Sequence, residues 1–347
     1  MQTASLISFF AYDRLMAAKN GQVPDDGLKQ TISEPSEYRI SVLMPTYNQE
    51  EYVVDAISAI IAQHAPPFEL IVCDDCSTDS TWGRVTDALT GYTGKHSVRW
   101  MRNEKNLGIN GNLNRMIEIA QGDILIAAAG DDISSPDRVK RVIATFAREH
   151  PLLVFSAFRP LMAPDQIYDG RFDNLIFTRT TDPVAVAGSV ALFVGATAAW
   201  HRDLFRLFGP LPSGPVYEDL ILGYRAALAG RVAMIDAPLV DYRIGVGISF
   251  SGPADQSRVG WDTYRINTLL RNAATFEQRR VDALAFGLKP EGVVVRALHR
   301  HLTLTEIRKD AVALSTMDFL RRHWRHPLLA LRALRSEKRR ARRALKP

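Results

Sequence analysis

Between Arg39 and Phe158 the chain repeats one pattern: a short apolar run, a polar loop, then a polar stretch that carries apolar residues at helical spacing. The apolar runs are Arg39–Met44, Phe68–Cys73, Val98–Met101, Asp123–Ala129 and Leu152–Phe158. Runs this short, bounded by turn residues, read as buried strands. Val54, Ile57, Ile60 and Ile61 mark the first intervening helix, and Asn110–Ala120 and Pro136–Glu149 mark later ones. Pro136 suits a first helical turn, where its missing N–H is no loss. Ser77-Thr78-Asp79 offers side-chain oxygens that can cap a helix start. Such alternation predicts an α/β fold with a mostly parallel sheet flanked by helices. Pro45 is expected to stop the first strand. Beyond Arg159 the pattern weakens, although Glu218–Gly230 reads as a helix, Val232–Ile244 as extended, and the chain from about Trp261 as helical.

Ligands of open α/β sheets bind beyond the carboxyl ends of the strands. Those ends hold unusual residues here. Pro45-Thr46-Tyr47-Asn48 follows the first strand, Asp74-Asp75 the second, and Gly130-Asp131-Asp132 the run ending at Ala129. Adjacent acids repel, so two such pairs at one end of a sheet ask for a divalent cation or a hydrogen-bonding ligand. Either pair alone also fits a turn or a helix start. A third pair, Glu218-Asp219, opens the predicted helix at 218. Two successive helical side chains diverge by about 100°, so one can face a cleft while the other supports it. Opposition to the helix dipole is the simpler alternative.

Composition narrows the classes. The chain has 347 residues and a net charge of +5, yet residues 320–347 carry eleven Lys/Arg against one acid, Glu337. The rest is therefore mildly acidic, and a basic partner surface is expected of the tail alone. Two cysteines, Cys73 and Cys76, do not make a disulfide framework and fit a cytoplasmic location. Without a second cysteine pair, their C-x-x-C spacing falls short of a zinc site. No secretory signal is expected at the start, since the apolar stretch Ser5–Tyr12 lacks a positive preceding region. Val184–Trp200 is uncharged but rich in Ala, Gly, Ser and Thr, which predicts a buried strand and helix of a folded core. The Rossmann glycine fingerprint and the Walker A sequence are both missing after the first strand.

Read in order, Ser41-Val-Leu-Met-Pro-Thr-Tyr-Asn48, Cys73-Asp-Asp-Cys-Ser-Thr-Asp79, Asn103–Gly108, Gly130-Asp-Asp132, Tyr217-Glu-Asp-Leu220 and Pro238-Leu-Val-Asp-Tyr-Arg243 resemble the successive motifs of glycosyltransferase family 2. The resemblance implies a GT-A fold and transfer from a nucleotide-sugar donor to a saccharide or lipid-linked hydroxyl, with inversion, in cell-surface polysaccharide synthesis. It implies that Pro45, Thr46, Tyr47, Asn48, Asn106 and Gly108 shape the nucleotide pocket, with Asp75 accepting a hydrogen bond from the base. It implies Asp131 and Asp132 as ligands of Mg2+ or Mn2+, Asp131 also serving the donor, Asp219 as general base and Glu218 as its neighbour. Gly195-Ala-Thr197 is similar to a small-residue loop beside sugar and acceptor, and Arg243 to a residue near the diphosphate. Ala129 stands where the family often has a further acid, and Gly245 near where a His often follows. A nucleotidyltransferase-like enzyme and a non-catalytic sugar-binding relative are the alternatives. The first is expected to carry a Gly-rich basic loop, and the second to lose the acidic pairs.

The expected organisation is an N-terminal extension and linker at 1–38, and a GT-A domain at 39–250 with a donor half (39–140) and an acceptor half (141–250). A helical extension at 251–319 and a basic amphipathic tail at 320–347 complete it. In the tail, Leu328, Leu329, Leu331 and Leu334 are read as the apolar stripe of a helix that lies on an anionic membrane surface, at the inner face of the cytoplasmic membrane. No nucleic acid is expected, because no nucleic-acid fold motif accompanies the charge.

Overall fold

A computed structural model of the chain describes residues 38–162, 168, 170, 172–246 and 257–345; the expected extension and linker at 1–38 lies outside them but for Tyr38. Strands β1 (Ile40–Thr46), β2 (Glu69–Asp74), β3 (Ser97–Arg102) and β4 (Ile124–Ala127) alternate with α1 (Val53–Ile61), α2 (Thr81–Leu89) and α3 (Gly108–Ile119). The short β5 (Ile133–Ser134), α4 (Arg138–Glu149) and β6 (Leu153–Leu161) follow. Then come α5 (Pro183–Ala187), β7 (Ala199–His201), α6 (Asp203–Phe208), α7 (Glu218–Leu228) and β8 (Val232–Arg243). The chain closes with α8 (Arg258–Ala285), α9 (Val293–Ala313), α10 (Thr316–Arg322) and α11 (Pro327–Ala344).

The eight strands form one sheet in the order β3-β2-β1-β4-β7-β6-β8-β5. The first four strands are mutually parallel, as the alternation predicts. The second half is mixed: β7 runs antiparallel to both β4 and β6, and β5 antiparallel to β8. Four of the seven strand pairings, β6 with β8 among them, are parallel, so the sheet is mostly parallel as expected; its antiparallel exceptions leave no mark in the hydrophobic period, which does not encode strand direction. Pro45 also fails to stop β1, which continues to Thr46 against Asp74 of β2. Leu43 turns its carbonyl toward β4, accepting from Ala128 N (2.9 Å), and Pro45 faces the same way. The β1–β4 ladder ends at Leu43, so the missing N–H of Pro45 has no ladder partner to lose.

Alternating side chains fill two cores. Val42 and Met44 join α1, α2 and α4 on one face, where Ile57, Ile60, Val85 and Phe146 are buried. Leu43, Ile71 and Leu125 join α3, α7, α8 and α9 on the other. Phe276, Phe286 and Leu298 belong to that second core, so the helical extension is built on the sheet. Val184–Trp200 becomes α5, a turn at Gly195–Thr197 and β7, largely buried, in the order helix then strand. No described helix is long and apolar enough to cross a membrane.

The basic tail is no free amphipathic segment. α10 spans the expected boundary at 320, and α11 packs back on the body through Ala330, Ala333, Glu337 and Ala341. The leucine stripe divides: Leu334 packs on the body beside Ile307 and Phe319, while Leu328, Leu329 and Leu331 are exposed. Alanines allow the close approach to Ile307 and Phe319 that leucines would block.

Candidate active site

The loops after β1 and β2 are laced into one unit. Asn48, at φ 52°, donates its N–H to Ser77 Oγ (3.0 Å) and accepts from Thr78 N (2.9 Å) through Oδ1. Gln49 N donates to Thr81 Oγ1 (2.7 Å) and Glu50 N to Asp79 Oδ2 (3.2 Å). The reading of Ser77-Thr78-Asp79 as a helix start holds for Asp79 alone: α2 begins at Thr81, whose N–H donates to Asp79 Oδ1 (3.0 Å), while Ser77 and the other oxygen of Asp79 hold the neighbouring loop. Asp74 is wholly buried, accepts from Ser77 N (3.0 Å) and pairs with Arg102 Nε (3.2 Å), which makes it framework.

Asp75 Oδ1 accepts from Asn103 Nδ2 (2.7 Å) and Leu107 N (2.8 Å), so the 103–108 loop hangs from this carboxylate. Within that loop Asn106 Oδ1 accepts from Gly108 N (2.9 Å), and Gly108 takes φ 70°, a conformation that favours glycine. Cys73 is buried with its thiol pushed up to about 12 by desolvation, and both cysteines are free. A thiol held protonated is a poor metal ligand.

The Gly130-Asp131-Asp132 turn crosses tightly over the β1 loop. A Cβ at Gly130 would come within 2.9 Å of Thr46 Cγ2 and collide with Gln49 Oε1, so any larger residue would have to displace both side chains. Asp132 Oδ1 accepts from Arg243 N (2.8 Å), while Oδ2 is buried and meets no hydrogen-bond partner among the described residues. Arg243 Nε donates to Asp131 O (3.0 Å), and its guanidinium stacks 4.2 Å from the Tyr52 ring. Fully buried Arg138 ties Ala127 O and Ala196 O together at 2.7 Å each, fixing the end of β4 to the Gly195–Thr197 turn. Burial, then repulsion from Asp131, pushes the Asp132 carboxyl up to about 7, and burial raises Asp131.

A cleft of about 230 Å³ opens over these carboxyl ends, lined by Pro45, Ala129, Asp131 and Asp132 on one side and by Gly195, Tyr217, Glu218, Asp219 and Arg271 on the other. The second acidic pair starts α7, and a Cβ at Gly195 would stand 3.3 Å from Asp219 Cβ and 3.4 Å from Glu218 Oε1. Desolvation first, then Asp219, pushes Glu218 up to about 7; desolvation brings Asp219 to about 6. Arg271 of α8 lies over the Tyr217 ring at 4.2 Å and attracts both carboxylates. Buried Arg279 donates through Nη2 to Leu220 O (2.9 Å), anchoring the first turn of α7.

Of the residues picked from the sequence, Pro45, Asp131, Asp132, Glu218 and Asp219 meet in this cleft. Thr46, Tyr47, Asn48 and Asp75 form the adjoining loop unit, whereas Asn106 and Gly108 stay within their own loop and do not line the cleft. Arg138 and Arg271 went unread in the sequence. Each is one of several arginines on its helix, with no local signal to set it apart. Among the described residues no three His, Cys, Asp or Glu side chains converge on one point. Asp131 and Asp132 fit a cation all the same: Asp132 Oδ2 has no hydrogen-bond partner among the described residues, both carboxyls stay raised despite the charges of Arg138 and Arg243, and donor oxygens can complete the shell.

Residues 41–208 match the family model described as glycosyl transferase family 2. The chain carries a family 2 glycosyltransferase domain. Over 131 residues the chain is 30% identical to the putative colanic acid biosynthesis glycosyl transferase WcaA of Escherichia coli K12, covering 38% of this chain and 44% of that protein. In three dimensions it is similar to residues 1–349 of TarS from Staphylococcus aureus, with a TM-score of 0.56 and 16% identity over 85% of this chain and 81% of that one. TarS is named as a poly(ribitol-phosphate) beta-N-acetylglucosaminyltransferase. The mannosyltransferase PcManGT of Pyrobaculum calidifontis, in complex with GDP-Man and Mn2+, is similar at a TM-score of 0.54 and 20% identity, covering 99% of this chain and 92% of that one. The family 2 domain thus has the GT-A fold, with helices added at the carboxyl end. The chain spans 39 to 64% of the length of several curated relatives it matches.

Proposed function

We propose that the cleft transfers a glycosyl group from a nucleotide-diphosphate sugar to a hydroxyl of a saccharide or lipid-linked acceptor in cell-surface polysaccharide synthesis, with inversion. One observation carries this reading: Asp131-Asp132 and Glu218-Asp219, far apart in sequence, face one cleft beside Gly195. The names of WcaA and TarS support a polymeric acceptor. The Mn2+ and GDP-Man in the PcManGT complex support a cation shared with the donor.

In this reading Thr46 and Tyr47 wall the base and ribose, and Asp75 offers its second oxygen to a base N–H. Asp131 and Asp132 would hold Mg2+ or Mn2+, which supplies neutralisation of the departing diphosphate. Arg243 adds positive charge at the same turn. Asp219 takes the proton of the acceptor hydroxyl as its oxygen bonds to the anomeric carbon from the face opposite the leaving group. The anomeric C–O bond to the diphosphate breaks, and the electron pair leaves with the diphosphate. A carboxyl pushed up to about 6 remains ionised at neutral pH yet is basic enough to accept a proton. Glu218 contacts the acceptor, and Arg271 favours the charged form of the pair, offsetting part of the burial that raises both carboxyls.

Purified protein assayed with UDP-, GDP- and dTDP-sugars and Mn2+ or Mg2+ is expected to bind one donor and to invert the anomer, as read by NMR of the product. Asp219→Asn should lower kcat about 10²- to 10⁴-fold with donor binding kept. Failure of every nucleotide sugar to bind would sink the proposal, and unchanged turnover in Asp219→Asn would sink the assignment of the base.

A further inference from the structure

α11 has two faces of opposite character. The inner one, Ala330, Ala333, Glu337 and Ala341, recurs at successive turns and is buried. At about 100° per residue, the opposite face collects Arg332, Arg335, Arg339, Arg342 and Arg343, all exposed. This ridge is about 16 Å long. Among the described residues none of the five forms an ion pair. The single acid of the helix points the other way: Glu337 accepts from Arg265 Nε (2.7 Å) and Nη2 (3.1 Å) and from Arg308 Nε (2.7 Å). The body thus absorbs the only negative charge of α11 and leaves its outer positive charge undiluted.

At the amino-terminal end of the ridge lies an apolar corner. Of the fifteen exposed large hydrophobic residues among those described, six fall between 317 and 331: Met317, Leu320, Trp324, Leu328, Leu329 and Leu331. Trp324 is 69% exposed and Leu328 75%. Single exposed hydrophobics are ordinary, but such concentration next to a row of cations is not. Tryptophan, leucine and arginine together suit the boundary between lipid headgroups and acyl chains, where Trp sits amphipathically and Arg meets phosphate. A nucleic acid would engage the arginines but offers no medium for the apolar corner.

We propose that the α10–α11 corner docks on an anionic phospholipid bilayer, Trp324 and Leu328 entering the headgroup layer while the arginine ridge of α11 lies on its phosphates. Charge and apolar insertion are two signals, the combination that turns transient adsorption into stable attachment. The docking is independent of the transfer chemistry and stands if that reading fails.

The test is co-sedimentation of the full chain with vesicles of phosphatidylcholine alone, or of phosphatidylcholine and phosphatidylglycerol in equal parts. Binding is expected only to the mixed vesicles, weakening as salt rises. Each exposed arginine near a charged surface contributes about fivefold in affinity, so Arg335→Ser with Arg339→Ser should weaken binding roughly 25-fold. Trp324→Ser with Leu328→Ser should weaken it while preserving the salt dependence. Both double variants change exposed side chains and should melt with the parent. A brominated mixed lipid should quench part of the tryptophan emission of the parent but not of the Trp324→Ser variant, which checks insertion without relying on altered charge. No binding to mixed vesicles, undiminished binding of the arginine variant, or tighter binding to duplex DNA than to mixed vesicles would overturn the proposal.

Discussion

Asp132 holds one oxygen on Arg243 N and buries the other without a hydrogen-bond partner among the described residues. Its proton relieves that conflict at low pH. An unfolded aspartate ionises near 3.9, whereas burial and Asp131 move this one to about 7. The folded state therefore binds the extra proton between those values, and stability falls as pH rises from about 4 to 7, the cost persisting above 7. Asp132→Asn should raise the melting temperature at pH 8 by a few degrees over the parent, and the gain should shrink toward pH 4. The same variant should lose the added stabilisation that a nucleotide diphosphate with Mn2+ gives the parent. Thermal scans with and without that pair check both. At this scale the sequence was most informative: strand-end acids announce themselves because adjacent carboxylates ask for a reason. Arg271 did not, since only the packing of α8 against α7 brings it beside Asp219. Nor did the use of Asp74 as framework and Asp75 as loop anchor, because a pair of letters does not say which way each side chain turns.

Elements were legible in kind and less so in extent and in face. Four parallel strands and their helices follow from alternating period. The end of β1 did not, because the rule against proline in a strand applies only where a ladder needs its N–H. α11 was legible as a basic helix but not as a docked one, since its contact stripe is alanine and a lone glutamate. Glu337 stakes the docking. Burial alone would raise its carboxyl, but Arg265 and Arg308 outweigh that and hold it below the ordinary value. Its contribution is therefore present above the unfolded glutamate range and fades only as strong acid protonates it. Glu337→Ala leaves Arg265 buried without its partner and should cost about 3–5 kcal/mol, appearing in hydrogen exchange as lost protection of α11. Equal protection in parent and variant would show that the alanine contacts suffice.

For the whole molecule, one sheet carries two cores, and the second core runs from Leu43 of β1 to Leu298 of α9. The carboxyl-terminal helices are thus part of the fold that forms the cleft, and α8 adds Arg271 to it. Truncation after residue 257 should abolish soluble folding, because it removes Phe276, Phe286 and Leu298 from that core. Truncation after residue 315 removes the partners of Ile307, Arg265, Arg308 and Asp310 but no residue of that core, and should keep a cooperative, nucleotide-responsive melt at a lower temperature. Circular dichroism and thermal shift with donor distinguish the two. The antiparallel place of β7 between β4 and β6 was invisible in the sequence, because direction depends on the path of residues 162–198, which has no strong period. One property of the outer face of α11 reaches further. Its row of side chains is entirely guanidinium, which keeps its proton at any pH a cell reaches, while the carboxyls of the cleft titrate near neutrality. If the proposed transfer and docking hold, acidification would slow transfer without detaching the protein: where it works would answer to salt and lipid composition, and how fast it works to protons.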